Sequence, residues 1–313
     1  MTDTAPPAGL SPLRRCGQSG LQLSPLGLNL SPHASFDSIV TPCLLDHAMD
    51  LGVTHFDVTA LADHRCAATQ RGRFPASSAW LDSRNKAVIT ARVGMGTQPG
   101  PLTGFGSRKQ VLTGLDSVLH RTGLTYIDVL YAHRFDSATP LQETAQALAS
   151  TVQQGKALYV GLSSFAPASV RRLAELLAAL GTPVVAYQTS YSLMNRWIED
   201  GLLDVLTEYG IGCVAAAPLS HGQITSTNMP AQAASTLAED LGLPSLRHIA
   251  ASRGQSVAQL AISWALRDAR ITSVLTSTAQ TQHLMASQEA TRHCSFTADE
   301  LAALDLCYPI KHV

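Results

Sequence analysis

The feature that most constrains the fold is a repeated alternation of short apolar segments with longer amphipathic ones. The short segments carry few charges, as expected for parallel strands covered on both faces. Strict strand-then-helix order with eight strands favours a closed (β/α)8 TIM barrel of the α/β class over an open doubly wound sheet. The eight predicted strands are 24–30, 55–59, 87–93, 127–134, 158–165, 184–190, 212–218 and 271–277.

Both ends of the chain carry additional elements. The segment RRCGQSGLQLS has a turn of polar and glycine residues between two short extended runs, which predicts an N-terminal β-hairpin across the barrel bottom. Residues 297–307 predict an extra C-terminal helix. Because no linker or low-complexity segment interrupts the repeat, we expect a flexible tail at 1–12 and a single barrel domain at 13–313.

Composition excludes several classes of function. A net charge of −1 without a basic cluster gives no electrostatic surface for nucleic acid or anionic membranes. The N-terminus lacks the apolar core of a signal peptide, and six scattered cysteines without CxxC spacing indicate reduced thiols. We therefore expect a cytoplasmic protein with a small-molecule substrate, no nucleic-acid or membrane partner, and no predicted oligomeric state.

Five segments carry a family resemblance: GVTHFDVT, GLTYIDVLYAHRFD, QGKALYVGLSSF, YQTSYSLMNRW and GCVAAAPLSHG. Together they resemble the aldo-keto reductase superfamily, in particular the branch with glyceraldehyde-3-phosphate reductases and potassium-channel β-subunits. The resemblance runs from about Leu13 to Asp305. It implies a (β/α)8 barrel that binds NADPH and reduces carbonyl groups with a tetrad of Asp, Tyr, Lys and His.

The tetrad is incomplete in this chain. Asp57 and His133 match the family's aspartate and histidine, whereas Ala62 stands at the tyrosine position and Arg92 at the lysine position. A positioned proton donor contributes about 10²–10⁴-fold to such reactions. Arg92 can pair with Asp57 through two hydrogen bonds, but a guanidinium stays protonated and cannot supply the proton.

The residues that grip the cofactor are also altered. Where the family holds the 2′-phosphate with Ser and Arg, this chain has Ala279 and Gln280. Ser163, Ser164 and Gln188 stand where the resemblance places the contacts to the nicotinamide carboxamide. We therefore expect no bound cofactor, with NADPH as the alternative and with these three residues as its contacts if it binds.

These losses favour an enzyme that performs non-redox acid/base chemistry, such as a dehydratase, lyase, isomerase or cyclase. An atypical NADPH-dependent aldehyde or ketone reductase and a catalytically silent binding or regulatory barrel remain as alternatives, because fold alone does not decide function. No metal site is expected, since the local histidine pairs of zinc sites are missing. The predicted catalytic residues are His133 as acid/base, Asp57 and Arg92, and the predicted pocket residues are His64, Tyr191 and Arg134.

Overall fold

The computed structural model describes residues 11–30, 42–59, 84–94, 104–225 and 246–308. Eight parallel strands close into a barrel in which each strand pairs with its sequence neighbours and the last pairs with the first. This confirms the predicted (β/α)8 fold. The strands are β1 (Arg14–Arg15), β2 (Gln22–Leu23), β3 (Leu26–Asn29), β4 (His55–Asp57), β5 (Val88–Val93), β6 (Ile127–His133), β7 (Ala157–Ser163), β8 (Val184–Ser190), β9 (Gly212–Ala216) and β10 (Ile271–Thr276), of which β3–β10 form the barrel.

The helices end where their capping chemistry predicts. Ser107 accepts a hydrogen bond from the Gln110 N–H at the start of one helix, and Gly123 ends it in a left-handed conformation with φ 74°. In the described residues the helices are α1 (Pro42–Asp50), α2 (Arg108–Thr122), α3 (Leu141–Gln153), α4 (Pro167–Ala179), α5 (Leu202–Glu208), α6 (Leu246–Ser252), α7 (Val257–Leu266), α8 (Thr281–Ala290) and α9 (Ala298–Cys307). The last is the predicted extra helix, and a capping box between Thr297 and Glu300 begins it.

The N-terminal hairpin closes the barrel bottom, as predicted. Strands β1 and β2 pair antiparallel, and the Gln18 N–H donates to the Gly210 carbonyl at 2.8 Å, just before β9. Cys16 and Leu23 are fully buried and belong to one apolar cluster with barrel residues such as Val129. The bottom of the barrel is therefore packed shut, which leaves the carboxyl ends of the strands as the open face.

Strained backbone collects at that open face. Four barrel strands are followed directly by a residue with a left-handed backbone: Gly94 (φ 83°), Arg134 (φ 59°), Ser164 (φ 61°) and Ala217 (φ 52°). Glycine tolerates this conformation, whereas residues with a Cβ lose roughly 1–2 kcal/mol there. Such outliers cluster at functional sites, and the carboxyl ends of the strands carry the chemistry in barrels of this kind.

The structure bears only in part on the predictions about membrane spans, cysteines and the N-terminal tail. None of the described helices is both long and apolar enough to span a membrane. Five cysteines in the described residues are free thiols, while Cys66 lies outside that part of the chain. Residues 1–10 are not described either, so the boundary between a tail and a domain at 12/13 stays a prediction, as does the cytoplasmic location.

Candidate active site

The strand register brings the predicted residues to one place. Asp57 is the last residue of β4, His133 of β6 and Ser163 of β7. His133 is in register with Ser163, and Ser163 with Gln188 of β8. Because side chains alternate along a strand, Arg92 of β5 faces the same side as its neighbour two positions back, next to Asp57. These five side chains form the mouth cluster, defined here as Asp57, Arg92, His133, Ser163 and Gln188.

The Asp57 carboxylate is fully buried and held by uncharged donors. Its Oδ1 accepts the Thr59 N–H at 3.0 Å, and its Oδ2 accepts the Gln188 Nε2 at 2.9 Å and the Thr90 hydroxyl at 3.3 Å. Asp57 and Arg92 form no ion pair, so the predicted pairing is wrong. The reason is that neutral donors already occupy the carboxylate.

Arg92 lies next to Asp57 but does not pair with it. Its backbone N–H donates to the Thr59 hydroxyl at 2.9 Å, while its side-chain Nε is buried without a hydrogen-bond partner. Within the ranges that the structure describes, no carboxylate pairs with its guanidinium. A buried donor without a partner is costly, by about 1–3 kcal/mol. The geometry therefore suits an arginine that receives an anion, or an oxygen that becomes negative during a reaction.

His133 is a neutral imidazole at neutral pH. Its Nδ1 lies 3.0 Å from the Ser163 hydroxyl. Burial, followed by the charges of Arg92 and Arg134, lowers the pKa of His133 from the usual 6.5 to about 4, against the opposing effect of Asp57. The predicted acid/base role stays a prediction. The ring can accept a proton or donate a hydrogen bond, but its cationic form is disfavoured.

Gln188 ends in a free acceptor. Since the Asp57 carboxylate only accepts hydrogen bonds, the Gln188 amide must turn its Nε2 toward it, which settles the orientation of the amide. Its Oε1 is then buried without a donor. Ser164, the next predicted contact, is exposed and adopts the left-handed backbone described above.

Tyr191 lies outside the mouth cluster. Its hydroxyl donates to Glu199 Oε1 at 2.6 Å and accepts from Arg267 Nη1 at 2.9 Å, and its ring centroid is 5.0 Å from that of Trp264. Glu199 also forms an ion pair with Arg196. The tyrosine therefore belongs to a buried ion-pair network next to α7, in which its hydroxyl already has two hydrogen-bond partners. Its predicted place in the pocket stays a prediction.

Of the other two predicted pocket residues, Arg134 and His64, the structure describes only the first. Arg134 is exposed, and its guanidinium carbon lies 4.1 Å from the centre of the Phe105 ring. This cation–π contact holds the side chain at the open face, beside His133 in sequence. His64 lies outside the described residues.

Sequence reasoning missed His55. Its ring is fully buried, with Nδ1 3.0 Å from the Ser273 hydroxyl and Nε2 3.4 Å from the Thr90 hydroxyl. Burial lowers the pKa of His55 to about 4 despite the nearby Asp57 charge. The signal was available in the HFD segment, because residues two apart on a strand share one face and Asp57 was already a candidate.

Gly27 makes room for this histidine. A Cβ at position 27 would lie 2.7 Å from His55 Nδ1 and 2.8 Å from a Leu275 methyl carbon. We expect Gly27→Ala to lower the free energy of unfolding by about 1–3 kcal/mol through overpacking, measured by urea denaturation. Gly20→Ala, whose new methyl would meet nothing within 4 Å, serves as the control. Equal stability of the two variants would show that His55 is loosely held.

No group of three or more His, Cys, Asp or Glu side chains in the described residues is arranged to hold a metal ion. The expectation of a metal-free site stays a prediction, since His64 is among the residues that the structure leaves out.

The chain is similar to known proteins of the two kinds that the sequence resemblance named. The chain is 37% identical to an L-glyceraldehyde 3-phosphate reductase of Escherichia coli (strain K12), an alignment that covers 93% of this chain and 91% of the relative. It is 29% identical to a probable voltage-gated potassium channel subunit beta of Oryza sativa subsp. japonica, over 88% of this chain and 90% of the relative.

These relatives overturn two predictions. Non-redox chemistry was predicted as the main function, yet relatives that match nearly the whole chain are named reductases. The expectation of no cofactor is likewise wrong, because membership of a reductase family points to NADPH use. Both errors have one origin. The absence of the family's tyrosine, lysine and phosphate-binding side chains was taken to mean that cofactor binding and reduction were absent as well.

The family assignment itself is confirmed. The family model described as "Aldo/keto reductase family" matches residues 36–309, which span seven of the eight barrel strands. The closed parallel barrel is the fold that the resemblance implied. The chain belongs to the aldo/keto reductase family.

Proposed function

We propose that this protein reduces the carbonyl group of a small aldehyde or ketone with NADPH as the hydride donor. Three findings support the proposal: the family, the reductase names of its relatives, and the polar cluster at the carboxyl ends of the strands. The favoured non-redox chemistry loses its basis, because it depended on the absence of a cofactor, and the proposal takes up the reductase alternative.

The observation that carries the proposal is the free acceptor of Gln188. Its buried Oε1 needs a hydrogen-bond donor, and a primary carboxamide such as that of nicotinamide provides one. Ser163, in register with Gln188, contributes a second polar group beside it. The residues present therefore fit the nicotinamide end of the cofactor.

The phosphate end can rely on backbone groups. No lysine or arginine occurs between Ile271 and Thr291, which includes β10 and α8. However, α8 begins at Thr281 with no side-chain cap, so the N–H groups of its first turn are left for another acceptor. Helix N-termini bind phosphate through such groups. This arrangement supports cofactor binding without the family's arginine.

The mouth cluster then acts on the carbonyl oxygen. NADPH, when bound, would supply a hydride to the carbonyl carbon. As negative charge grows on the oxygen, Arg92 stabilises it electrostatically, which in enzymes is a major source of rate enhancement. The neutral His133 ring can donate a hydrogen bond to the same oxygen. We propose that the proton which completes the alcohol comes from solvent, so that each turnover consumes one hydride and one H⁺.

The substrate class follows from charge and from the named relatives. The Arg92 guanidinium and the exposed Arg134 give the open face two positive charges. A small phosphorylated aldehyde, as in the name of the Escherichia coli relatives, suits that surface. We therefore propose three-carbon aldehydes that carry a phosphate as the first substrates to test.

The test is an assay of NADPH oxidation with purified protein. We expect stoichiometric alcohol formation from glyceraldehyde 3-phosphate or another small aldehyde, with a higher kcat/KM for the phosphorylated compound. If NADPH is not consumed with any aldehyde or ketone of a broad panel, the proposal is wrong. Unphosphorylated aldehydes that react equally well would contradict only the assigned substrate class.

A further inference from the structure

A continuous hydrogen-bond chain crosses the interior of the barrel. It starts at Ser273 on β10, passes through His55 on β4 and Thr90 on β5, reaches Asp57, and ends at Gln188 on β8. All five residues are at most 1% exposed. Such buried polar chains are stable only when each member is satisfied in a consistent direction. We call these five residues the interior chain.

The Asp57 carboxylate sets the direction of every hydrogen bond in this chain. As an acceptor only, it requires the Thr90 hydroxyl to donate its single proton. The Thr90 oxygen must then accept from His55, so the proton of the imidazole lies on Nε2. His55 Nδ1 is left as an acceptor for the Ser273 hydroxyl at 3.0 Å. Only one tautomer of a neutral His55 satisfies the whole chain.

The consequence appears at the far end. Asp57 Oδ2 accepts from both Thr90 and Gln188, so the carboxylate that Thr90 holds in place also holds the Gln188 Nε2. Gln188 Oε1 is therefore kept in a fixed place as a buried acceptor without a partner. The packing fits this arrangement, because the His55 ring lies so close to the backbone of Gly27 that a Cβ there would be 2.7 Å from His55 Nδ1.

We propose that His55 is a positioning residue which, through Thr90, orients Asp57 and so directs the free oxygen of Gln188 toward the nicotinamide carboxamide. The use of the oriented oxygen rests on the function proposed above. His55 itself does not touch the substrate or cofactor. Its contribution is to pre-organise an acceptor before the cofactor arrives, which lowers the ordering cost of binding.

The first test uses the wild-type protein without any nucleotide. Nitrogen-15 NMR of labelled histidines is expected to show His55 as a neutral ring protonated on Nε2 and unprotonated on Nδ1 at neutral pH. Thr90→Val, which removes the hydroxyl at nearly constant volume, is expected to shift both the His55 ring signals and the Gln188 side-chain amide signals. Thr90→Ser keeps the hydroxyl and should leave them near their wild-type positions.

The second test measures the dissociation constant of NADPH by fluorescence titration. We expect Thr90→Val and His55→Leu to weaken binding about tenfold, which corresponds to about 1.4 kcal/mol. Thr90→Ser and His55→Gln, which retain a hydroxyl and an amide N–H that can replace the imidazole Nε2–H, should stay within about threefold. This rescue separates positioning from a general packing defect, because both members of each pair alter the same buried site.

The outcomes are distinguishable. A His55 ring protonated on Nδ1, or a Thr90→Val variant with unchanged Gln188 signals, overturns the inference. Equal NADPH affinity of Thr90→Val and Thr90→Ser also overturns it. If the wild-type protein binds no nicotinamide nucleotide, the proposed function is wrong, and so is the proposed contact between Gln188 and the cofactor. The NMR comparison then still decides whether His55 orders Asp57 and Gln188.

Discussion

Replacing Arg92 with methionine is expected to lower kcat about 10²- to 10³-fold, the usual loss when one donor to a developing oxyanion is removed. This equals about 2.7–4 kcal/mol of transition-state stabilisation. The expectation follows from the unpaired Nε of Arg92 and from the neutral donors that satisfy Asp57 in its place. Because the lost interaction forms mainly in the transition state, KM should change much less than kcat.

Two further variants sharpen the result. Arg92→Lys retains the charge but loses the planar fork, so an intermediate rate is expected. Arg172→Met removes an arginine whose side chain is 52% exposed on α4, and it should leave kcat unchanged. A variant Arg92→Met with an unchanged kcat and a strongly raised KM would assign Arg92 to ground-state binding of a substrate anion instead.

Acid is expected to destabilise the protein, owing to the buried His55 and the partly buried His133. The pKa values of His55 and His133 are both lowered from 6.5 to about 4 in the folded state. Between these values the unfolded chain binds protons that the folded chain does not, so the free energy of unfolding falls as the pH falls. Each histidine contributes up to about 1.4 kcal/mol per pH unit in this window. Above pH 6.5 both rings are mainly neutral in the folded and in the unfolded chain, so the histidines cause no loss of stability there.

Urea denaturation at about pH 7 and about pH 5 measures this effect. His55→Gln and His133→Gln each remove one titrating group, so the difference in stability between the two pH values should shrink in both variants. His283→Gln, at an exposed position of α8, provides the matched control and should retain the wild-type difference. Wild-type behaviour of the His55 and His133 variants would show that these rings titrate normally in the folded protein.

The barrel could be predicted because its signals are local and repeated. The period of apolar residues, the left-handed glycines at helix ends and the capping residues all point to the same elements. The extra helix predicted at 297–307, for example, is α9 (Ala298–Cys307). The mouth cluster also followed from sequence, since polar residues at the carboxyl ends of predicted barrel strands include Asp57, His133 and Ser163.

The function was mispredicted for a physical reason. Residue types report side-chain contacts only, whereas a phosphate can be bound by backbone N–H groups at a helix start such as that of α8. The predicted ion pair between Asp57 and Arg92 was wrong for a related reason. Opposite charges on neighbouring strands suggested attraction. However, Thr90, two residues before Arg92 on β5, and Gln188 on β8 donate to the carboxylate instead, and the Gln188 contact becomes visible only in the closed barrel.

The central claim is that the Gln188 acceptor serves a nicotinamide nucleotide, and equilibrium titration with NADPH tests it most directly. The account predicts saturable binding to the wild-type protein. It also predicts at least about tenfold weaker binding to Gln188→Leu. The carboxamide of the bound nicotinamide would then be buried without its acceptor, which costs about 1–3 kcal/mol of binding free energy. Gln146→Leu, at an exposed position of α3, should bind as the wild type does. Absence of saturable binding to the wild type, or equal affinity of the Gln188 variant, would contradict the account.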